Sequence, residues 1–146
     1  MPVAAAVIAV IMSALAAVAA DVSIVQAPDT PVRLDRAVVL NATDAPPVLL
    51  YAATNVTNDQ IDEFTVMVYV FREGVLKARQ VAPGRRTLDA HGTKYSAMVL
   101  DGFAIEANDA VVVGVNQAQK VGSEAWWRTD LQEAAAAVAV AKHPKQ

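Results

Sequence analysis

The chain has two histidines, His91 and His143, and no cysteine. His91 lies in a Gly-containing turn and His143 in the tail, and neither has Ser, Asp or Glu at a recognised motif spacing. The sequence contains no Gly-x-Ser-x-Gly elbow, no His-Glu-x-x-His pair and no phosphate-cradling glycine loop. A hydrolytic triad would have to assemble in space from His91, Ser96 and a carboxylate. Without cysteine there is no thiol nucleophile, no thiolate zinc site and no lipidated-cysteine anchor. Asn58, Asp59, Asp62 and Glu63 gather oxygen ligands at a strand turn, chemistry that suits Ca²⁺. Their spacing matches no calcium loop, and turns select Asp and Asn for backbone reasons alone. The residues therefore predict no catalytic group, no metal ligand and no cofactor. A hydrolase or metal-dependent enzyme is kept as an alternative.

Contact chemistry is better represented. Arg72, Lys77, Arg79, Arg85 and Arg86 fall close together, with Glu73 the only acid among them. Lys77 and Arg79 on one strand face would make a basic edge. Such an edge either meets an anionic partner or keeps an edge strand from pairing with other chains. Trp126 and Trp127 are adjacent, so on extended backbone they point opposite ways. One is expected to plug the junction between a helix and a sheet, and the other to be the best single recognition residue. The interaction residues read from the sequence are thus Trp126, Trp127, Lys77, Arg79, Arg85 and Arg86. Asn41-Ala42-Thr43 and Asn55-Val56-Thr57 match the glycosylation pattern, usable only where the side chains face solvent. Formal net charge is −3, and no basic stripe neutralises phosphates, which excludes nucleic acid as a partner.

These residues need elements to position them. Val3 to Ala20 carries no charge, and the first charged side chain is Asp21. As a helix this stretch would span about 27 Å, short of the roughly 30 Å hydrocarbon core. Ala17-Val18-Ala19 and Val18-Ala19-Ala20 offer the small residues that a signal peptidase reads. The expectation is a signal helix over residues 1–20, cleaved near Ala19 or Ala20, and a periplasmic or secreted chain. No Lys or Arg precedes the apolar run, so a retained anchor is the alternative, and it would be the sole membrane contact.

Residues 21–31 contain Pro28 and Pro31 and read as a tether. Residues 32–128 then give short strand-like runs separated by turns: Val32 to Leu40, Val48 to Thr57, Ile61 to Phe71, Val75 to Val81, Thr93 to Leu100 and Ala110 to Gln117. Ile61 to Phe71 is apolar on both faces and belongs in the middle of a sheet. Arg72-Glu73-Gly74 should turn it into a hairpin. Residues 129–146 form a helix and tail: Thr129-Asp130-Leu131-Gln132 reads as a capping box before an alanine-rich run that Pro144 ends. The 146 residues suggest one domain, mainly β. The architecture expected is an antiparallel sandwich with a short C-terminal α-helix.

Thr54-Asn55-Val56-Thr57-Asn58, then Ile61 and the alternating run to Phe71-Arg72-Glu73-Gly74, resembles the core hairpin of immunoglobulin-like domains of bacterial envelope proteins, including the FxLYD type. The resemblance covers about twenty to thirty residues and departs from the pattern at Arg72, where Asp is usual. It implies an immunoglobulin-like β-sandwich and a non-catalytic interaction role, with a protein or another envelope component as partner. The expected function is an exported binding or scaffolding module of the cell envelope. The alternative is a carrier of a small apolar ligand, held inside a barrel or between sheet and helix. Deleting residues 129–146 should lower the melting temperature.

Overall fold

The computed structural model describes residues 18–20, 22–82 and 87–142. They form β1 Val18–Ala20, β2 Val22–Ile24, β3 Val32–Asn41, β4 Val48–Asn55, β5 Ile61–Arg72, β6 Val75–Ala82, β7 Thr93–Val99, β8 Ala110–Lys120, β9 Ala125–Trp127 and α1 Leu131–Lys142. One sheet runs β1-β3-β4-β7 and the other β2-β8-β5-β6, with β9 also on β8. β2 lies parallel to the first part of β8, and β9 antiparallel to its last part. Two short segments therefore share one edge of β8.

Side-chain alternation builds the layers. Val39, Leu49, Tyr51 and Met98 of the first sheet meet Phe64, Val66, Val68, Val111 and Val113 of the second in one core. The opposite face of the second sheet, with Tyr69, Phe71 and Val112, is covered by Leu131, Ala135 and Ala139 of α1. The chain is thus a mainly β, sandwich-like pair of sheets with a helix as third layer. β5 lies between β8 and β6, as its two apolar faces demand. Glu73 (φ 53°) and Gly74 (φ 80°) are the two loop residues between paired Arg72 and Val75. Positive φ at both positions gives the type I′ turn whose twist matches the strands.

A helix of this length is marginal alone in water. α1 is held because Leu131, Ala135 and Ala139 recur on one face and are buried. Gly114 of β8 makes room for it: a Cβ there would stand 2.6 Å from Leu131 Cδ1 and 3.0 Å from the Val25 carbonyl oxygen. The expected capping box is not made. The helix starts at Leu131, with the Ala134 N–H donating to the Asp130 carbonyl at 3.0 Å. Gln132 does not reach back; its Oε1 accepts from Arg79 at 2.9 Å, tying α1 to β6.

Two further expectations change. Residues 22–25, read as tether, are woven into the second sheet: β2 pairs with β8, the Val25 N–H donates to Val113 O at 2.9 Å, and Val25 is buried. Val18–Ala20, inside the segment expected to be removed, pairs with β3. The rest of the expected signal helix lies outside the described residues. Among those residues no helix is long and apolar enough to cross a membrane.

Arg72, the departure from the envelope-domain pattern, finds its carboxylate in the turn just before the neighbouring strand β8. Its Nε donates to Asp109 Oδ1 at 2.8 Å and its second nitrogen to Oδ2 at 2.9 Å. Oδ2 also accepts from the Glu106 N–H at 2.8 Å. The Asp109 side chain is 1% exposed and that of Arg72 32%. The Arg72 hydrogen bond holds the Asp109 carboxyl below its ordinary value; burial opposes this and the Glu106 N–H adds to it. A depressed native pKa means that the unfolded chain binds more protons in acid. This contribution is complete above the unfolded value of about 3.9 and is lost as pH falls through the native one. Thermal melts at descending pH should show Asp109→Asn with a shallower loss of stability below about pH 4 than the parent. Parallel acid slopes would contradict this.

Candidate functional site

β9 brings the two tryptophans to one corner of the sandwich. It pairs Trp126 with Ala118 and Trp127 with Gln117. Ala118 faces the core between the sheets, and Trp126 packs partly buried against that core. Its Nε1 donates to Asp29 Oδ2 at 3.2 Å. Trp127 points the other way and is 63% exposed. One indole is thus anchored and one is free, as adjacent positions on a strand require. The anchored one closes the edge between the sheets; the junction with α1 is filled by Leu131 and the small residues of the helix.

Beside the indoles lies a cleft of about 300 Å³ lined by Pro28, Asp29, Trp126, Trp127, Arg128 and Asp130, together with Ala27 and Thr129. The Arg128 side chain is 13% exposed, and its Nε donates to Asp130 Oδ1 at 3.1 Å. One guanidinium nitrogen of Arg128 is buried with no hydrogen-bond partner among the described residues. The corner offers a broad apolar ring face, two carboxylates and a half-hidden cation. That mixture suits a polar surface that brings one flat or apolar group to stack on Trp127.

Of the five basic residues between positions 72 and 86, Arg72, Lys77 and Arg79 lie among the described residues. β6 is the outer strand of its sheet. Val70 pairs with Ala78 and Phe71 with Leu76, leaving Lys77 as the extra residue of a bulge. A bulge and a lysine on an outer strand both resist edge-to-edge pairing. Arg79 lies opposite Tyr69 and is spent on Gln132 of α1. Arg85 and Arg86 lie outside the described residues, as does His143.

The residues weighed for catalysis and metal binding are engaged separately. His91 Nε2 is 2.7 Å from Asn58 Oδ1, an amide oxygen. Ser96 sits within β7, opposite Tyr51. Asp59 pairs with Lys120 at 3.6 Å, and Glu63 accepts from Gln117 at 3.2 Å. Among the described residues no three His, Cys, Asp or Glu side chains converge on a metal position. Asn55 is fully buried, and its Nδ2 donates to the carbonyls of Asp59, Leu88 and Asp89 at 2.7, 3.2 and 3.2 Å. Its amide is a bracket for the turn and cannot carry a sugar in the folded chain.

One surface escaped the sequence reading. Among the described residues, no helix lies over the outer face of the first sheet. Its register sets Arg36, Ala52 and Tyr95 in one row and Val38, Leu50 and Ala97 in the next. These residues line a groove of about 550 Å³. The period-two pattern of β4 and β7 carries the signal, because their outward positions are apolar where a solvated face would be polar. No family model, no curated protein and no solved structure matches the chain.

Proposed function

We propose that this chain is exported and serves as a non-catalytic binding or scaffolding module of the cell envelope, periplasmic or secreted, on an immunoglobulin-like sandwich. The strand order supports the immunoglobulin-like reading. The hairpin β3–β4 lies in one sheet and β5–β6 in the other; β7 then returns beside β4 and β8 beside β5. This alternation between sheets is the Greek-key habit of that architecture. The uncharged run Val3 to Ala20 and the absence of cysteine support export to a bacterial envelope.

The observation that carries the binding role is Trp127. A tryptophan 63% exposed, braced by an anchored neighbour and bordered by a polar cleft, has the composition of an interface centre. Its partner is a protein or another envelope component. The test is native mass spectrometry of the untagged protein recovered from its host's envelope. The parent should lack about twenty amino-terminal residues and carry a partner. Trp127→Ala should lose that partner, about a hundredfold in affinity for a central anchor, and melt within about 0.5 kcal/mol of the parent because its ring is largely solvated. Equal retention by parent and Trp127→Ala would overturn the assignment.

A further inference from the structure

We infer that the outer face of the first sheet binds an amphipathic carboxylate, with its alkyl chain along β4 and its head group on Arg36. This rests on the binding reading only in taking the chain to hold a ligand; it uses a different face from the tryptophan corner and fails separately.

The floor is apolar over three successive rows. Ala52 is buried at the bottom; Val38, Leu50 and Ala97 follow, and then Leu40, Val48 and Val99. Rows on one strand face are two residues apart, so the track from the Arg36 row to the Val99 row is about 13 Å long, two steps of roughly 6.7 Å. Leu50 and Val99 are 39% and 48% exposed and Tyr95 is 82% exposed, standing as a wall beside the floor. A volume of about 550 Å³ lies within the roughly 300–1,000 Å³ of small-molecule sites.

Arg36 is the one charged residue among those that line the groove. Among the described arginines, Arg33, Arg72 and Arg128 pair with carboxylates and Arg79 with an amide. Arg36 has no such partner, and it lines the groove. Asp35, its neighbour, is already committed to Arg33 at 2.5 Å and to the Thr54 hydroxyl. The guanidinium left over is a fork that fits a carboxylate at the end of an alkyl track. Carriage between sheet and helix, by contrast, has no room: that interface is filled by Leu131, Ala135 and Ala139.

Decanoate, decanol and decyltrimethylammonium, each below its micelle concentration, would be titrated into the full chain, followed by the methyl resonances of Val38 and Leu50. Decanoate should shift them saturably. Decanol should bind about tenfold more weakly, the value of one charge-assisted contact, and the cation should not bind. Arg36→Gln should reduce decanoate affinity to that of decanol while leaving decanol unchanged, and Leu50→Asp should abolish both. Equal binding of decanoate and decanol, no saturable shift, or a concentration-dependent dimer dispersed by Leu50→Asp would each overturn the proposal. Trp127→Ala should bind decanoate as the parent does.

Discussion

Asn55→Ala should be among the most damaging single substitutions in this chain, costing about 3 kcal/mol and lowering the melting temperature by roughly 10 °C. The side chain is fully buried at the end of β4. Its amide nitrogen holds three carbonyls, and its oxygen accepts from the Thr57 N–H at 2.9 Å and the Thr57 hydroxyl at 2.8 Å. Those bonds tie the turn after β4 to the segment around Leu88, which itself exchanges two backbone hydrogen bonds with Ile61. Alanine removes all of them and leaves the Thr57 N–H without its acceptor. Asn55→Asp should be worse, because a carboxylate would face carbonyl oxygens where the amide donated. Asn41→Ala is the control. Asn41 makes one bond, to the Ile105 carbonyl at 2.9 Å, and is half-buried. It should cost about 1 kcal/mol or less. Denaturant melts of the three variants would check the order; an Asn55→Ala midpoint near that of Asn41→Ala would contradict it.

Leu131→Ala should cost about 2–4 kcal/mol, and deleting residues 129–146 should lower the melting temperature as well. Leu131 is 2% exposed and rests on Gly114, against Val25, Tyr69 and Val112. Truncating it opens a void where the helix enters the sheet, and removing the helix exposes Tyr69 and Phe71, whose ring centroids lie 6.3 Å apart. The deletion discriminates between two roles for α1. A lowered melting temperature means that the helix completes the fold. An unchanged curve would mean that it serves a partner. Gly114→Val should reproduce the loss from the other side, since a side chain there collides with Leu131 and the Val25 backbone.

Strands with strong alternation were legible in the sequence. β3 to β8 begin where the apolar patterns begin and end within a few residues of them, because burial on at least one face fixes their register. The Glu73-Gly74 hairpin was legible for a local reason, a two-residue loop that needs positive φ. β2 was not. Three residues ahead of Pro28 carry no periodicity, and what holds Val22–Ile24 is a parallel edge of β8 that is distant in sequence. The capping box failed because Gln132 has a better partner in Arg79, again across the fold. At the candidate site, strand geometry predicted one anchored and one exposed tryptophan, but the anchored ring was expected at the helix junction and instead joins the core between the sheets. The Arg72–Asp109 pair was not legible either, because the two residues are 37 apart in sequence and meet only in the fold. The groove on the first sheet was hidden for a related reason: the outward positions of β4 are apolar, and only the packing leaves Leu50 39% exposed.

The central claim is that Trp127 marks the binding surface, and a photoreactive phenylalanine analogue placed there in the native host tests it most directly. Val140, 51% exposed on α1, takes the same label as the reference position. Illumination should link position 127 to one discrete envelope component that position 140 does not reach. The same products from both positions, or none from position 127, would contradict the account.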